Sequence, residues 1–288
     1  MTDKWLKNRT AAWIVILSLL TAGGAAPLAG VETMSEQKAD FAGDFFRDEA
    51  HIWTTPARMN AGQWLLAAGF AATVFWVITR DEVFYRDIKD AQERNPWISD
   101  ISPHITKTGA FVIPYGTAGL FWLAGKLFHD PKARDTGVLG LQALLHAGLV
   151  TQVIKHLSGR NRPEYAGGVD NWYGPSGFFK RYTNDLRKYD AFPSGHTATI
   201  WSIATVIATQ YKSHFWVPLS CYTLATMSGL SRVTEDKHWL SDVIVGAAIG
   251  FSVGKYLVHK NQRRHAAKLQ AAPLAGNGSL GLTLAYEW

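Results

Sequence analysis

Three short stretches in the second half of the chain carry residue types that could handle a phosphoryl group. They are Lys155 with Arg162-Pro163, then Pro193-Ser194-Gly195-His196, then Ser231-Arg232 followed by His238 and Asp242. Arginine offers a planar fork for two oxygens and lysine a mobile point charge, so Lys155, Arg162 and Arg232 could together neutralise a phosphate dianion without a metal. Ser194 and Gly195 precede an apolar run from Thr197, which predicts a helix start capped by Ser194. Free backbone N–H groups at such a start bind anions, and Gly195 lets the backbone come close to one; read alone, the stretch is an ordinary helix cap. His238 and Asp242 are four apart at the start of the last apolar stretch, a spacing that predicts one helical face. A carboxylate accepting one ring N–H would fix the imidazole tautomer and present the lone pair of the other nitrogen to phosphorus. His238 is the candidate nucleophile, Asp242 its orienting group and His196 the candidate general acid.

The order K-x6-R-P, P-S-G-H, S-R-x5-H-x3-D resembles, at every defined position, the signature of the type 2 phosphatidic acid phosphatase family, which is itself similar to class A acid phosphatases and vanadium haloperoxidases. The resemblance covers residues 155 to 242. It implies an all-α bundle of about six core helices, catalysis by His238, His196 and Asp242, and phosphate binding by Lys155, Arg162, Ser194, Gly195 and Arg232. It also implies a two-step reaction through a phosphohistidine, with no metal and no cofactor. The implied substrate is a phosphorylated lipid, such as phosphatidic acid, phosphatidylglycerol phosphate, a polyprenyl pyrophosphate or a lipid A phosphate. A soluble periplasmic acid phosphatase acting on small phosphomonoesters is the alternative. A vanadate-dependent haloperoxidase would use the same anion cradle, but the apolar helices and an export signal argue against it. A non-catalytic membrane protein is disfavoured because every motif position is filled.

The motifs have to be held by helices. Apolar stretches at about 59–79, 108–125, 136–154, 196–211, 214–230 and 240–258 each approach the length of a membrane span. Gln142, His146 and Gln152 interrupt one, Lys255 another, and the mean hydropathy of the chain is −0.05, so buried helices of a soluble all-α domain fit as well. Lys155 closes one apolar helix, and Pro163 disfavours helical geometry at Arg162, so the chain should turn through Ser158-Gly159. Arg160 is either a third cation for the anion or a solvated helix end. Gly246, Gly250 and Gly254 recur along one face of the last helix, where a neighbouring backbone could approach. Residues 80–107, with Pro96 and Pro103, read as a long connection with a short helix from Arg86 to Arg94. The aromatics of residues 164–192 (Tyr165, Trp172, Tyr173, Phe178, Phe179, Tyr182), with Lys180 and Arg181, could cover the site. At the end, Leu280, Leu282, Leu284 and Tyr286 alternate as in a strand.

The chain has 288 residues, a formal net charge of +6 and one cysteine. The three motifs must meet at one place, which argues for one domain over 59–262. Segment 1–26 is a signal peptide or uncleaved anchor, 27–58 a solvated lead-in with short amphipathic helices, and 263–288 a tail. The basic balance favours phosphorylated substrates or an acidic lipid surface, and no basic run is interleaved with a nucleic-acid motif. Cys221 excludes an internal disulfide. Lys4, Lys7 and Arg9 before the apolar run Ala11 to Leu20 and the small residues Ala22 to Ala26 read as an export signal, which places the protein at a bacterial inner membrane with a periplasm-facing site, or in the periplasm. The resemblance implies motif loops on the periplasmic side, so six spans beginning at residue 59 would put the preceding chain in the cytoplasm, against that signal. Either the mature domain is soluble or peripheral, or residues 11–29 form the first span and one later stretch does not cross. Of the histidines outside the motifs, only His156, beside Lys155, is a candidate for a supporting role.

Overall fold

Caps and glycines set the helix boundaries. Asn60 starts the first long apolar helix through reciprocal bonds with Gln63, and Asp130 starts one of the two 28-residue helices by accepting from the N–H groups of Lys132 and Ala133. Our computed structural model describes residues 41–177, 188–267, 269–276 and 279–286. The expected export segment, and the loop residues Phe178, Phe179, Lys180, Arg181 and Tyr182, lie outside them. The helices are α1 (Phe41–Thr54), α2 (Ala61–Ile78), α3 (Asp81–Arg94), α4 (Trp97–Thr106), α5 (Val112–Leu127), α6 (Pro131–Ser158), the one-turn α7 (Pro163–Ala166), α8 (Gly195–Gln210), α9 (Trp216–Thr234) and α10 (Leu240–Ala267). The six apolar stretches correspond to α2, α5, α6, α8, α9 and α10. Helix α8 lies at the centre, packed on α6, α9 and α10, and α5 packs along α6. Leu139 and Ala143 of α6, Val206 of α8 and Val253, Leu257 and Val258 of α10 form the buried core.

Among the described residues, three helices are long and apolar enough to cross a membrane: α2, α6 and residues Leu240–Arg264 of α10. Helix α2 is apolar on all faces yet buries only Val74 and Val77, leaving Trp64, Leu65, Phe70 and Trp76 exposed. A helix of that kind suits lipid better than water.

Helix α10 rests backbone to backbone on α8 through its glycines. A Cβ at Gly246 would stand 2.5 Å from the Ser194 carbonyl oxygen, and one at Gly254 2.8 Å from Thr205 Cβ. The same seam is tied by the Ser194 N–H, which donates to the Asp242 carbonyl at 3.0 Å. The small-residue face expected for packing is therefore what brings the P-S-G-H helix start against the H-x3-D segment.

Three local expectations change. Residues 80–107 are two helices, with Pro96 capping α4 and Pro103 inside it. Docking on the end of α9 holds them: Gln92 donates to the Thr234 carbonyl at 3.0 Å, and hydroxyl pairs Ser102–Thr234 and Thr106–Ser231 close at 2.7 Å each. The lead-in is not solvated either, because α1 buries Asp48 and Glu49. Glu49 meets His146 Nδ1 at 2.6 Å, Asp48 accepts from Tyr256 at 2.7 Å and from Lys260, and Asp44 pairs with Arg264 at 2.7 Å. Those partners lie on α6 and α10, far away in sequence. Finally, the strand-like end is β2 (Ser279–Tyr286), paired antiparallel with β1 (Leu269–Gly276) so that Leu280 faces Ala275 and Leu284 faces Ala271.

Candidate active site

Helix α6 ends as its sequence requires. Gly159 adopts the left-handed conformation (φ 55°), where a Cβ would collide with the Gly174 carbonyl, and its N–H bonds back to the Lys155 carbonyl. Lys155, buried in the last turn, donates Nζ to the backbone carbonyl of Asp190. Arg162 is extended (φ −87°, ψ 150°) before Pro163, and its Nε donates to Asp190 Oδ1 at 2.8 Å. Asp190, which the motifs did not single out, thus bridges the two cations. Its neighbours in sequence lead directly into the P-S-G-H helix start.

Ser194 caps α8, its Oγ accepting from the Thr197 N–H at 3.4 Å and the Thr197 hydroxyl at 2.9 Å. His196 follows in the first turn. Gly195 has room: a Cβ there would meet only Thr151 Cγ2 at 3.7 Å and Lys155 Cε at 3.8 Å. Its open side is therefore space over Lys155, not a close approach within the protein.

Arg232 sits in the last turn of α9 rather than in a connecting loop. Its Nη1 donates to Glu235 Oε2 at 2.7 Å, while its Nε is buried without a hydrogen-bond partner among the described residues. The Arg232 carbonyl accepts the N–H groups of Lys237 and His238, closing the tight turn that presents His238.

The expected common face of His238 and Asp242 is not formed, because α10 begins at Leu240 and His238 lies in the turn before it. The pair approaches to 3.4 Å, Nδ1 to Oδ2, which is ion-pair range but outside hydrogen-bond geometry, and His238 Nδ1 has no hydrogen bond. Asp242 instead reaches back as a helix cap, Oδ2 accepting from the Trp239 N–H at 2.8 Å, while Oδ1 accepts from Arg160 Nη1 at 2.5 Å. Both oxygens are shared, so the imidazole meets an occupied carboxylate.

Arg160 accordingly is neither a third cradle cation nor a solvated helix end. Its side chain is fully buried and binds Asp81, Asp170, Ser241 and Asp242. Asp170 lies in the loop after α7 and Asp81 at the start of α3, neither flagged by any spacing in the sequence. His156 bonds the Gln152 carbonyl of its own helix at 2.6 Å.

Burial, reinforced by Arg162, Lys155 and Arg232, pushes the His238 imidazole well below its ordinary proton affinity, with Asp190 working the other way. Burial and then Arg232, Arg162 and Lys155 bring His196 down to about 4. Asp190 stays below the usual carboxylate range despite its burial, because Lys155 and Arg162 hold it there. The same three cations therefore act on both imidazoles and lower the proton affinity of each, so the three motifs meet in one region of positive potential. Such a region can bind an anion and offer it a ring lone pair.

The chain is 41% identical over 78 residues to a lipid A 1-phosphatase of Porphyromonas gingivalis, a stretch that is 27% of this chain and 18% of that protein. It is 27% identical over 167 residues to phosphatidylglycerophosphatase B of Bacillus subtilis, covering 54% of this chain and 72% of that one. Less than a fifth of the first relative is thus spanned. The crystal structure of a transmembrane PAP2 type phosphatidylglycerolphosphate phosphatase from Bacillus subtilis superposes with a TM-score of 0.52 at 21% identity, over 69% of this chain and 94% of that one, which shows a shared fold. The PAP2 superfamily model matches residues 137–266, from α6 through α10, a little under half of the chain.

Proposed function

We propose that the protein is a metal-independent phosphatase that hydrolyses phosphomonoesters of membrane lipids through a phosphohistidine at His238. The observation that carries this reading is the convergence of Lys155, Arg162 and Arg232 on two imidazoles, the buried His238 and the half-buried His196, whose protons all three cations repel. The cations hold the phosphate oxygens, with the open space at Gly195 and the free N–H groups of the α8 start beside Lys155. His238 Nε2 attacks phosphorus as the bond to the leaving oxygen breaks, and His196 gives that oxygen a proton. Positive charge growing on the His238 ring draws Asp242 across its remaining half-ångström to a full hydrogen bond. In the second half-reaction His196 takes a proton from water, the hydroxide oxygen attacks phosphorus, and the bond to His238 breaks to release phosphate.

Burial, and after it the repulsion of Arg232, Arg162 and Lys155, leave His196 with too little proton affinity to be an acid at neutral pH. A bound dianion cancels that repulsion, so substrate itself arms the acid.

The exposed apolar surface of α2, together with the length and apolarity of α6 and α10, supports work within or on a membrane. Lys155 lies 24 residues from the start of α6, about 36 Å along the helix. Lys126, Lys132 and Arg134 sit at that far end, and Lys255 to Arg264 occupy the equivalent end of α10. A cytoplasmic location for these basic ends puts the site on the outer, periplasmic face. The relatives described above are named as a lipid A 1-phosphatase and a phosphatidylglycerophosphatase, and we assign the same class of substrate, a lipid phosphate, here.

The test is phosphate release by purified protein in EDTA, comparing phosphatidic acid in mixed micelles with a water-soluble aryl phosphate, with His238→Ala as control. Turnover of the micellar lipid that is lost in folded His238→Ala supports the reading. Equal or better turnover of the soluble ester moves the protein to the broad-specificity phosphatases, and full activity in His238→Ala overturns the mechanism.

A further inference from the structure

Arg160 lies between Lys155 and Arg162 in sequence but is spent elsewhere. Each of its five N–H donors is taken: Nε bonds Asp170 Oδ1 at 2.8 Å, Nη1 bonds Ser241 Oγ at 2.7 Å and Asp242 Oδ1 at 2.5 Å, and Nη2 bonds Asp81 Oδ2 and Asp170 Oδ2 at 2.7 Å each. The indole of Trp172 lies 4.6 Å from the guanidinium carbon and that of Trp239 5.3 Å. No donor is left for an anion in the cradle. Asp81, 1% exposed, is bound a second time, accepting the Ser241 N–H at 3.1 Å and the Ser241 hydroxyl.

We propose that Arg160, clamped by Asp81 and Asp170, is a positioning residue that keeps Asp242 ionised and aimed at His238. The inference rests on the reading of His238 as nucleophile. Asp242 is completely buried, and a carboxylate so placed keeps its charge only with a cation against it. Arg160 is that cation. It occupies Oδ1 and leaves Oδ2, shared only with the Trp239 N–H, on the side of His238 Nδ1. Asp81 and Asp170 prevent the guanidinium from swinging toward the cradle, and they leave the cluster of one cation and three carboxylates with a formal charge of −2. His238 thus stands between fixed cations in front and a net anion behind. As the ring attacks phosphorus it acquires positive charge, and the anionic cluster stabilises it at that moment.

The experiment compares wild type, His238→Ala, Arg160→Gln, Arg162→Gln and Asp170→Asn, with folding followed by thermal unfolding in detergent. For Arg160→Gln the expected result is a kcat lower by about 10²-fold, short of the roughly 10⁴-fold typical when such an orienting carboxylate is itself neutralised, with KM within threefold of wild type. Arg162→Gln should instead raise KM at least tenfold. Parallel ¹⁵N-histidine NMR, with His238→Ala as the assignment control, reads the His238 tautomer whether or not the enzyme turns over. Wild type should show Nδ1 protonated, and Arg160→Gln a mixture of tautomers. A kcat within threefold of wild type together with an unchanged tautomer in Arg160→Gln overturns the inference, as does a KM effect like that of Arg162→Gln. If Arg160→Gln fails to fold, Asp170→Asn decides, with a fall in kcat of about fivefold at constant KM expected and an unchanged kcat overturning the proposal. A wild type that releases no phosphate refutes the phosphatase reading alone, and the tautomer measurement still decides the role of Arg160.

Discussion

Replacing Gly246 with alanine tests whether the α8–α10 seam sets catalytic geometry. The new Cβ would stand 2.5 Å from the Ser194 carbonyl oxygen, 3.2 Å from Thr197 Cβ and 3.3 Å from the Ala198 nitrogen, whereas ordinary contact begins at 3.4 Å. The helices must therefore part by 0.9 Å, the difference between 3.4 and 2.5 Å, at a point one turn from Asp242. Overpacking of this kind costs about 1–3 kcal/mol, and the better helix propensity of alanine returns about 1 kcal/mol, so the protein should remain folded with Tm lower by only a few degrees. Activity should suffer more. Ser194 leads into His196 and Asp242 faces His238, so parting the seam moves the two imidazoles relative to each other, and displacements near 1 Å cost about 10²-fold in rate. At Gly254 the corresponding clash is 2.8 Å, a deficit of 0.6 Å, and that position is twelve residues or about 18 Å from Asp242 along the helix. The assay is kcat for a micellar lipid phosphate alongside Tm for Gly246→Ala, Gly254→Ala and Gly69→Ala, the last having nothing within 4 Å of its Cβ. We expect kcat losses of about 10²-fold, a few-fold and none. Wild-type kcat in Gly246→Ala, or a greater loss in Gly254→Ala, refutes the reasoning.

Other substitutions probe the cradle and its charges. Gly195→Ala meets only ordinary contacts at 3.7 and 3.8 Å, so it should fold normally yet raise KM about tenfold by placing a methyl group over Lys155, measured in a KM titration. Arg232→Gln removes a charge that depresses His196, so the acid form persists to higher pH and the descending limb of kcat/KM should move upward; a downward move contradicts the assignment. Between the folded value of about 4 for His196 and its ordinary 6.5, the unfolded chain binds more protons than the folded one. Stability should therefore fall as pH is lowered through that window, read as Tm against pH. Asp48→Ala leaves Tyr256 and Lys260 without their shared acceptor and should lower stability by about 1–3 kcal/mol, with proteolysis near residue 55 as the readout.

Local punctuation made much of this legible. The spacing from Lys155 to Pro163, with Gly159 between, required a helix end, a left-handed residue and an extended Arg162, and those are the observed conformations. Ser194 reads as a cap and behaves as one. The triple glycine of α10 signalled close packing but could not name α8 as the partner, because spacing within one helix is silent about its neighbour. For the same reason the role of Arg160 stayed open. It is chemically identical to Arg162 and two residues away, and what settles its place is Asp81 and Asp170, brought in by other elements. Asp190 stands three residues before Pro193, near enough to invite attention, yet only the fold reveals that it bridges Lys155 and Arg162. His238 and Asp242 satisfied helical spacing and still did not share a helix, because Asp242 reaches back to cap the turn on which His238 sits. Pro103 suggested a break that docking on α9 overrides.

The acidic contacts of α1 bear on how the molecule is assembled. Its partners Tyr256, Lys260 and Arg264 lie 208, 212 and 220 residues further along the chain. During synthesis α1 emerges before every other described helix; Glu49 can meet His146 once α6 is made, but Asp44 and Asp48 must wait, hydrated, until nearly the whole bundle is complete. Full docking of α1 is then a late closing step that needs the last helix in place, and a chain cut short before Tyr256 would hold that first helix through α6 alone.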